Sequence, residues 1–145
     1  MAVKPIPDRY HTVTPYLTCS GVAKLIDFLK AAFGAEEIER SPGPDGTIAH
    51  AEVKIGDSVI MMGEPRGDKK PYNAMLYLYV EDVDATYKKA VAAGGKSILE
   101  PTTQFYGDRS GAVADHAGNQ WWIATHVEDV SPEEMAKRAA AQGKK

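Results

Sequence analysis

Two stretches of this 145-residue chain repeat one another in register. One, YLTCSGVAKLIDFLKAAFGAEEI, begins at Tyr16; the other, YLYVEDVDATYKKAVAAGGKSIL, begins at Tyr77. Tyr-Leu opens both, Val22 matches Val83, Gly34 matches Gly95 and Ile38 matches Leu99. Each copy reads as an extended segment, a helix stopped by glycine, and the start of another strand. Two copies are too few for a solenoid, whose repeats need several neighbours to bury a continuous core. A duplicated unit that closes on its partner is the expectation.

The helices are legible from apolar spacing. Val22, Leu25, Ile26, Leu29 and Phe33 form one face, with Gly34 as the C-terminal stop; Val83, Tyr87, Ala90 and Val91 repeat the pattern before Gly94-Gly95. Strands are expected at Glu36–Arg40, Thr47–Ile55 and Ser58–Met62, separated by the breakers Pro42–Gly46 and Gly56-Asp57. The second half predicts strands at Ser97–Glu100, Arg109–Asp115 and Asn119–His126. The result is βαβββ twice, an α+β fold with modules at 11–64 and 74–127 inside one domain of 1–145. The polar linker Pro65–Pro71 joins them, and its Arg66-Gly67-Asp68 reads as a loop coincidence rather than an adhesion motif. A tail at 128–145 carries Ser131-Pro132-Glu133-Glu134, a capping box with proline at the first helical position, and predicts a peripheral helix to about Gln142.

Charge and composition exclude several classes. A net charge of −3 and a pI near 5.8 argue against the basic face that nucleic-acid binding requires. One cysteine, Cys19, rules out an intramolecular disulfide framework and suits a reducing compartment. With no apolar run of the ~20 residues that span a bilayer and no apolar signal-peptide core near the start, a cytoplasmic protein is expected.

The paired modules resemble the vicinal oxygen chelate superfamily, which includes glyoxalase I, bleomycin-resistance proteins, fosfomycin-resistance enzymes and extradiol dioxygenases. The carrying stretches are LTCSGVAKLIDFLKAAFGA (17–35), PDGTIAHAEVKIGDSVIMM (44–62) and YGDRSGAVADHAGNQWWIATHVEDVSPEEM (106–135). The last is similar to the PhnB-like glyoxalase branch, in which an Asp-x-x-Gly turn precedes an aromatic strand. The resemblance implies two βαβββ modules forming a cupped mixed sheet, and a homodimer. Metal-dependent members present a His or Glu at four positions that fall here on Thr14, Ile60 (or Met61, one register away), Met75 and Trp122. None is an imidazole or carboxylate, so no metal cofactor is expected and glyoxalase I activity is disfavoured.

Strand alternation then assigns side chains to the cup. Thr14, Tyr16, Met75, Tyr77 and Tyr79 are expected on the concave face, with Leu17, Cys19, Leu76 and Leu78 under the helices. The same reading sends Trp121 to the core and Trp122 to the cup, and places Ile60 and Met62 on the cup with Val59 and Met61 opposite. His50 and Glu52, at i and i+2, share the cup face of the third strand. They read as an acid–base pair, as half of a metal site completed by a residue such as Glu100, or as a pair that satisfies itself. Arg109, in the Tyr106–Gly111 turn, is expected either to clamp a ligand carboxylate or phosphate or to bridge Asp108 and fix the loop. His116 reads as a turn residue beside a capping Asp115, Cys19 as core, and His11 and His126 as facing away from the site. The functional expectation is metal-independent binding of an aromatic or hydrophobic small molecule. The alternative is a lyase, isomerase or dioxygenase whose metal is held by a set including His50 and Glu52.

Overall fold

Each repeat folds into the expected unit. A computed structural model describes residues 2–143. The first module comprises β1 (Tyr16–Thr18), α1 (Val22–Phe33), β2 (Glu36–Pro42), β3 (Ile48–Ile55) and β4 (Ser58–Gly63). The second comprises β5 (Met75–Tyr79), α2 (Val83–Ala92), β6 (Lys96–Thr103), β7 (Asp108–Ala114) and β8 (Gln120–His126), and α3 (Pro132–Gly143) follows. The strands form two four-stranded mixed sheets, ordered β1-β4-β3-β2 and β5-β8-β7-β6. In each, the first strand lies parallel to the last and the other pairs are antiparallel. None of the described helices is long and apolar enough to cross a membrane.

Helix α1 ends where Gly34 turns left-handed (φ 66), letting the N–H groups of Gly34 and Ala35 cap the carbonyls of Lys30 and Leu29. It buries Val22, Leu25, Ile26, Phe28, Leu29 and Ala32 and packs against α2. One core joins the modules: Leu17, Val53 and Met62 from the first module cluster with Val83, Val113, Trp121 and Ile123 from the second. The Phe33 and Trp121 rings meet across the boundary at 5.5 Å between centroids.

Strand β6 runs to Thr103 rather than stopping at Glu100, with its pairing to β7 shifting between Leu99 and Thr102. Pro101 has no N–H to donate to the ladder, and β6 is an edge strand, where such an interruption is tolerated. Strand β4 corrects the alternation reading. Leu17 and Ala51, both core residues, lie directly beside Met62, so Met62 is fully buried and Met61 takes the cup side. Ile60 likewise belongs to the core. In Val-Ile-Met-Met every position is apolar, so the sequence period carries no facing signal and neighbouring strands decide it. The C-terminal helix matches its prediction: Ser131 Oγ accepts the Glu134 N–H at 3.2 Å. Glu134 turns to Arg138 (3.1 Å) instead of closing the capping box, and α3 has no buried residue.

Candidate functional site

The concave faces carry the exposed phenols that alternation placed there. Tyr16, Tyr77 and Tyr79 are 50%, 39% and 66% exposed and Met75 is 61% exposed, while their strand neighbours Leu17, Leu76 and Leu78 pack into the core. Trp121 is wholly buried, its Nε1–H donating to Asp115 at 2.9 Å. Trp122 is half-buried on the opposite face and donates to Gln120 at 3.0 Å. The tryptophan pair therefore divides as predicted.

Behind the phenols of the first module lies a buried carboxylate. Glu52 is 3% exposed and accepts from the Tyr10 hydroxyl and from His50 Nε2 at 2.7 Å, with Arg9 Nη2 at 3.5 Å. Burial pushes the Glu52 carboxyl up, but the Tyr10 and His50 hydrogen bonds and the Arg9 charge together hold it below the ordinary carboxylate range. An ionised Glu52 can only accept, so His50 carries its proton on Nε2. In the neutral ring, Nδ1 is then an acceptor for the Tyr16 hydroxyl, 3.3 Å away. The chain Glu52–His50–Tyr16 fixes the ring orientation and one tautomer of His50, a geometry that acid–base work can use. It also commits both Glu52 oxygens, and among the described residues no group of three His, Cys, Asp or Glu side chains is arranged to hold a metal ion, with Glu100 or without it.

The second module has a counterpart that the sequence reading missed. Asp108 is not a turn residue: it opens β7 directly opposite His126, which closes β8. Its Oδ2 accepts from Tyr77 (2.8 Å) and Tyr79 (2.9 Å) and its Oδ1 faces His126 Nδ1 at 2.8 Å, while His126 Nε2 reaches Asp129 at 2.7 Å. His126 therefore belongs to the cup cluster, contrary to expectation. Counting outward from the Asp115–Asn119 turn would have paired the two residues; the missing signal was the turn register, not the residue types. Tyr10, in an unpatterned N-terminal segment, offered no such signal. Burial, then the bond to Asp108, push the Tyr77 phenol above its ordinary pKa. Beside these groups Ser110 Oγ is fully buried and has no hydrogen-bond partner among the described residues.

Arg109 is the other correction. It points to the helix side and makes a bidentate pair with Asp84 of α2, both contacts at 2.9 Å, rather than meeting a cup ligand or Asp108. The odd strand position dictates this, since Asp108 and Ser110 take the opposite face. Asp115 caps its turn as expected, accepting the N–H groups of Ala117 (2.9 Å) and Asn119 (3.0 Å). His116 sits in that turn and bonds the Ser20 carbonyl at 3.0 Å. Cys19 is 2% exposed and burial pushes its thiol up to about 11, which makes it inert core.

The Asp108–His126 bridge has a pH signature. Asp108, then Asp129, raise the His126 pKa above its ordinary 6.5. Burial pushes Asp108 up, but its bonds from His126, Tyr77 and Tyr79 hold it below 3.8. The histidine contribution is complete below 6.5 and fades as pH rises through the raised value; the aspartate contribution is complete above 3.8 and fades as pH falls through the depressed one. An NMR titration of the His126 ring should give a midpoint above 6.5 that drops in Asp108→Asn. A midpoint unmoved by that substitution would assign the effect to Asp129 instead.

The metal positions implied by the resemblance become definite in this register. Tyr16 pairs with Met61 and Tyr77 with Trp122, so the four positions are Thr14, Met61, Met75 and Trp122. Thr14 Oγ1 donates to the His11 carbonyl at 3.1 Å. One hydroxyl, two thioethers and an indole do not fit a divalent centre of the kind built from imidazoles and carboxylates.

Comparison with known proteins agrees with the architecture. Residues 9–123 match the profile of the Glyoxalase/Bleomycin resistance protein/Dioxygenase superfamily. An uncharacterized protein of Mycobacterium tuberculosis, Rv0887c, is 34% identical over 142 residues, covering 90% of this chain and 84% of its own. Among solved structures, TioX from Micromonospora sp. ML1 superposes with a TM-score of 0.69 at 23% identity, covering 81% of this chain and 99% of its own. The PhnB protein from Bacillus cereus, a putative 3-demethylubiquinone-9 3-methyltransferase, gives 0.63 at 19% identity, with 79% and 99% covered. At these identities the two structures share the fold alone. From its matched profile and its paired βαβββ modules, this chain belongs to the glyoxalase/bleomycin resistance protein/dioxygenase superfamily.

Proposed function

We propose that this chain is a metal-independent small-molecule-binding protein of the bleomycin-resistance type, which takes an aromatic or hydrophobic ligand over its cup as a cytoplasmic homodimer. The carrying observation is the exposed set of Tyr16, Tyr77, Tyr79 and Met75 on faces turned away from the core. Aromatic and thioether surface with a few fixed polar groups suits small-molecule recognition. Trp122 and the tyrosines offer stacking, Met75 adapts to irregular shapes, and His50–Glu52 and Asp108 supply orienting polar contacts. Thr14 sits at the edge of this surface; Met62 and Arg109 do not take part. The homodimer reading is supported by the resemblance, and the cytoplasmic one by a lone, buried cysteine.

A thermal-shift screen of planar and cationic compounds, followed by fluorescence titration of hits, tests the reading. Saturable tryptophan quenching with a raised melting temperature supports it; a flat response across the whole library sinks it. The metal-dependent alternative would need Glu52 to release Tyr10 or His50. Stoichiometric metal in the isolated protein, lost in His50→Ala, would replace the present proposal.

A further inference from the structure

The Arg66-Gly67-Asp68-Lys69 stretch that looked like a coincidence forms a defined turn. The Lys69 N–H donates to the Arg66 carbonyl at 3.1 Å, and Gly67 supplies the left-handed φ of 61° that the reversal needs. Arg66 and Lys69 are thus first and last residues of one tight turn, which places two cations side by side. The turn is anchored to β1: Thr18 pairs with Tyr72, whose N–H donates to the Thr18 carbonyl at 2.9 Å. Between the turn and the sheet lies a cavity of about 310 Å³, lined by Tyr16, Thr18, Ala49, Gly63 and Glu64 with Arg66 and Lys69.

Three features make this cavity selective. Its wall at Gly63 has no side chain, and none fits: a Cβ there would stand 2.5 Å from the Ala49 carbonyl oxygen and 2.7 Å from the Tyr16 hydroxyl. Tyr16 therefore lies across Gly63 and brings a phenol that also meets His50 into the cavity. Glu64 turns both oxygens onto backbone, accepting from Gly21 N–H at 3.1 Å and Ile48 N–H at 2.6 Å, and so is fixed at the α1 entrance. Arg66 and Lys69 make no side-chain hydrogen bond or ion pair among the described residues, leaving two cations against that one committed carboxylate. Like charges held together in a concave wall raise the local positive potential and attract an anion.

We propose that this cavity is an anion subsite, in which Arg66 and Lys69 bind the carboxylate or phosphate of the ligand whose body lies over Tyr16. The inference rests on the cup-binding reading and adds the charge of the ligand. A guanidinium offers a planar fork and an ammonium a point charge, a combination suited to oxyanions. The cavity exceeds one bare anion, so the free ions should bind weakly and a larger ligand carrying the same group more tightly.

The test is an amide NMR titration of the full chain with sodium phosphate and, separately, sodium acetate, each against sodium chloride at matched ionic strength. Saturable shifts at Thr18, Gly63 and the 66–69 turn are expected, weakened roughly tenfold or more in R66Q/K69Q. Tighter phosphate binding assigns a phosphate ester, and equal or tighter acetate binding a carboxylate. Both variant sites are exposed, and Lys69→Gln alone, with an intermediate loss expected, guards against misfolding of the pair. Shifts no larger than those with chloride, or equal binding by R66Q/K69Q, overturn the subsite. Such a failure leaves Trp122 quenching by aromatic compounds untouched, so it is distinguishable from failure of the cup reading.

Discussion

Replacing Asp115 with Ala should lower stability by about 3–5 kcal/mol, a large share of the ~5–15 kcal/mol that holds a domain of this kind together. One oxygen of this buried side chain accepts the N–H groups of Ala117 and Asn119, and the other accepts Asn119 Nδ2 (3.0 Å) and Trp121 Nε1 (2.9 Å). Asn119 and Trp121 are wholly buried, so water cannot replace the lost acceptor without opening the turn. The damage extends to β5, because Asn119 Oδ1 accepts the Ala74 N–H at 2.9 Å and Gln120 N–H donates to the Ala74 carbonyl. Urea denaturation reads the effect as a lower midpoint at constant slope. Asp115→Asn, which keeps one oxygen, should lose about half as much. Trp121→Phe should cost less in the Asp115→Ala background than alone, since its orphaned N–H is then absent. Additive costs would refute the coupling. Asp108→Ala should be milder despite its three donors, because Tyr77, Tyr79 and His126 reach solvent and can recruit water.

Trp122→Ala should do the reverse: weaken a cup ligand by roughly 10- to 100-fold, the loss of about 1.5–3 kcal/mol of aromatic burial, while moving stability by about 1 kcal/mol or less. Its ring covers the sheet from the solvent side and fills no core volume. Trp121→Ala, one residue away, removes a fully buried ring against Phe33 and should cost about 3–5 kcal/mol. The pair is best measured by calorimetric titration beside denaturation, because Trp121 remains as a fluorophore in the Trp122 variant. Undiminished affinity in Trp122→Ala would remove this residue from the site.

Elements with a strict period were readable in advance. The α1 face, the Tyr16–Thr18 and Met75–Tyr79 alternations, and the Asp115 turn each impose a local constraint that survives without tertiary context. The Val-Ile-Met-Met run was not readable, because uniform apolarity erases the facing signal; β1 and β3 set it by register. Arg109 was read both as the first residue of a strand and as part of the Tyr106–Gly111 turn; it stands in β7, and the strand position turns it to the helix side, where its charge meets Asp84.

The sequence by itself determined the duplication, the element order, and the aromatic character of the cup, because repeats, breakers and alternation are written along the chain. It also showed a donor set ill suited to a divalent metal once the resemblance supplied the positions. Only the tertiary structure decided which carboxylates stand behind the phenols. Tyr10 to Glu52, Tyr77 to Asp108 and Asp108 to His126 are contacts between residues distant in sequence. Their meeting depends on strand register and chain return, and single-residue chemistry carries no record of either.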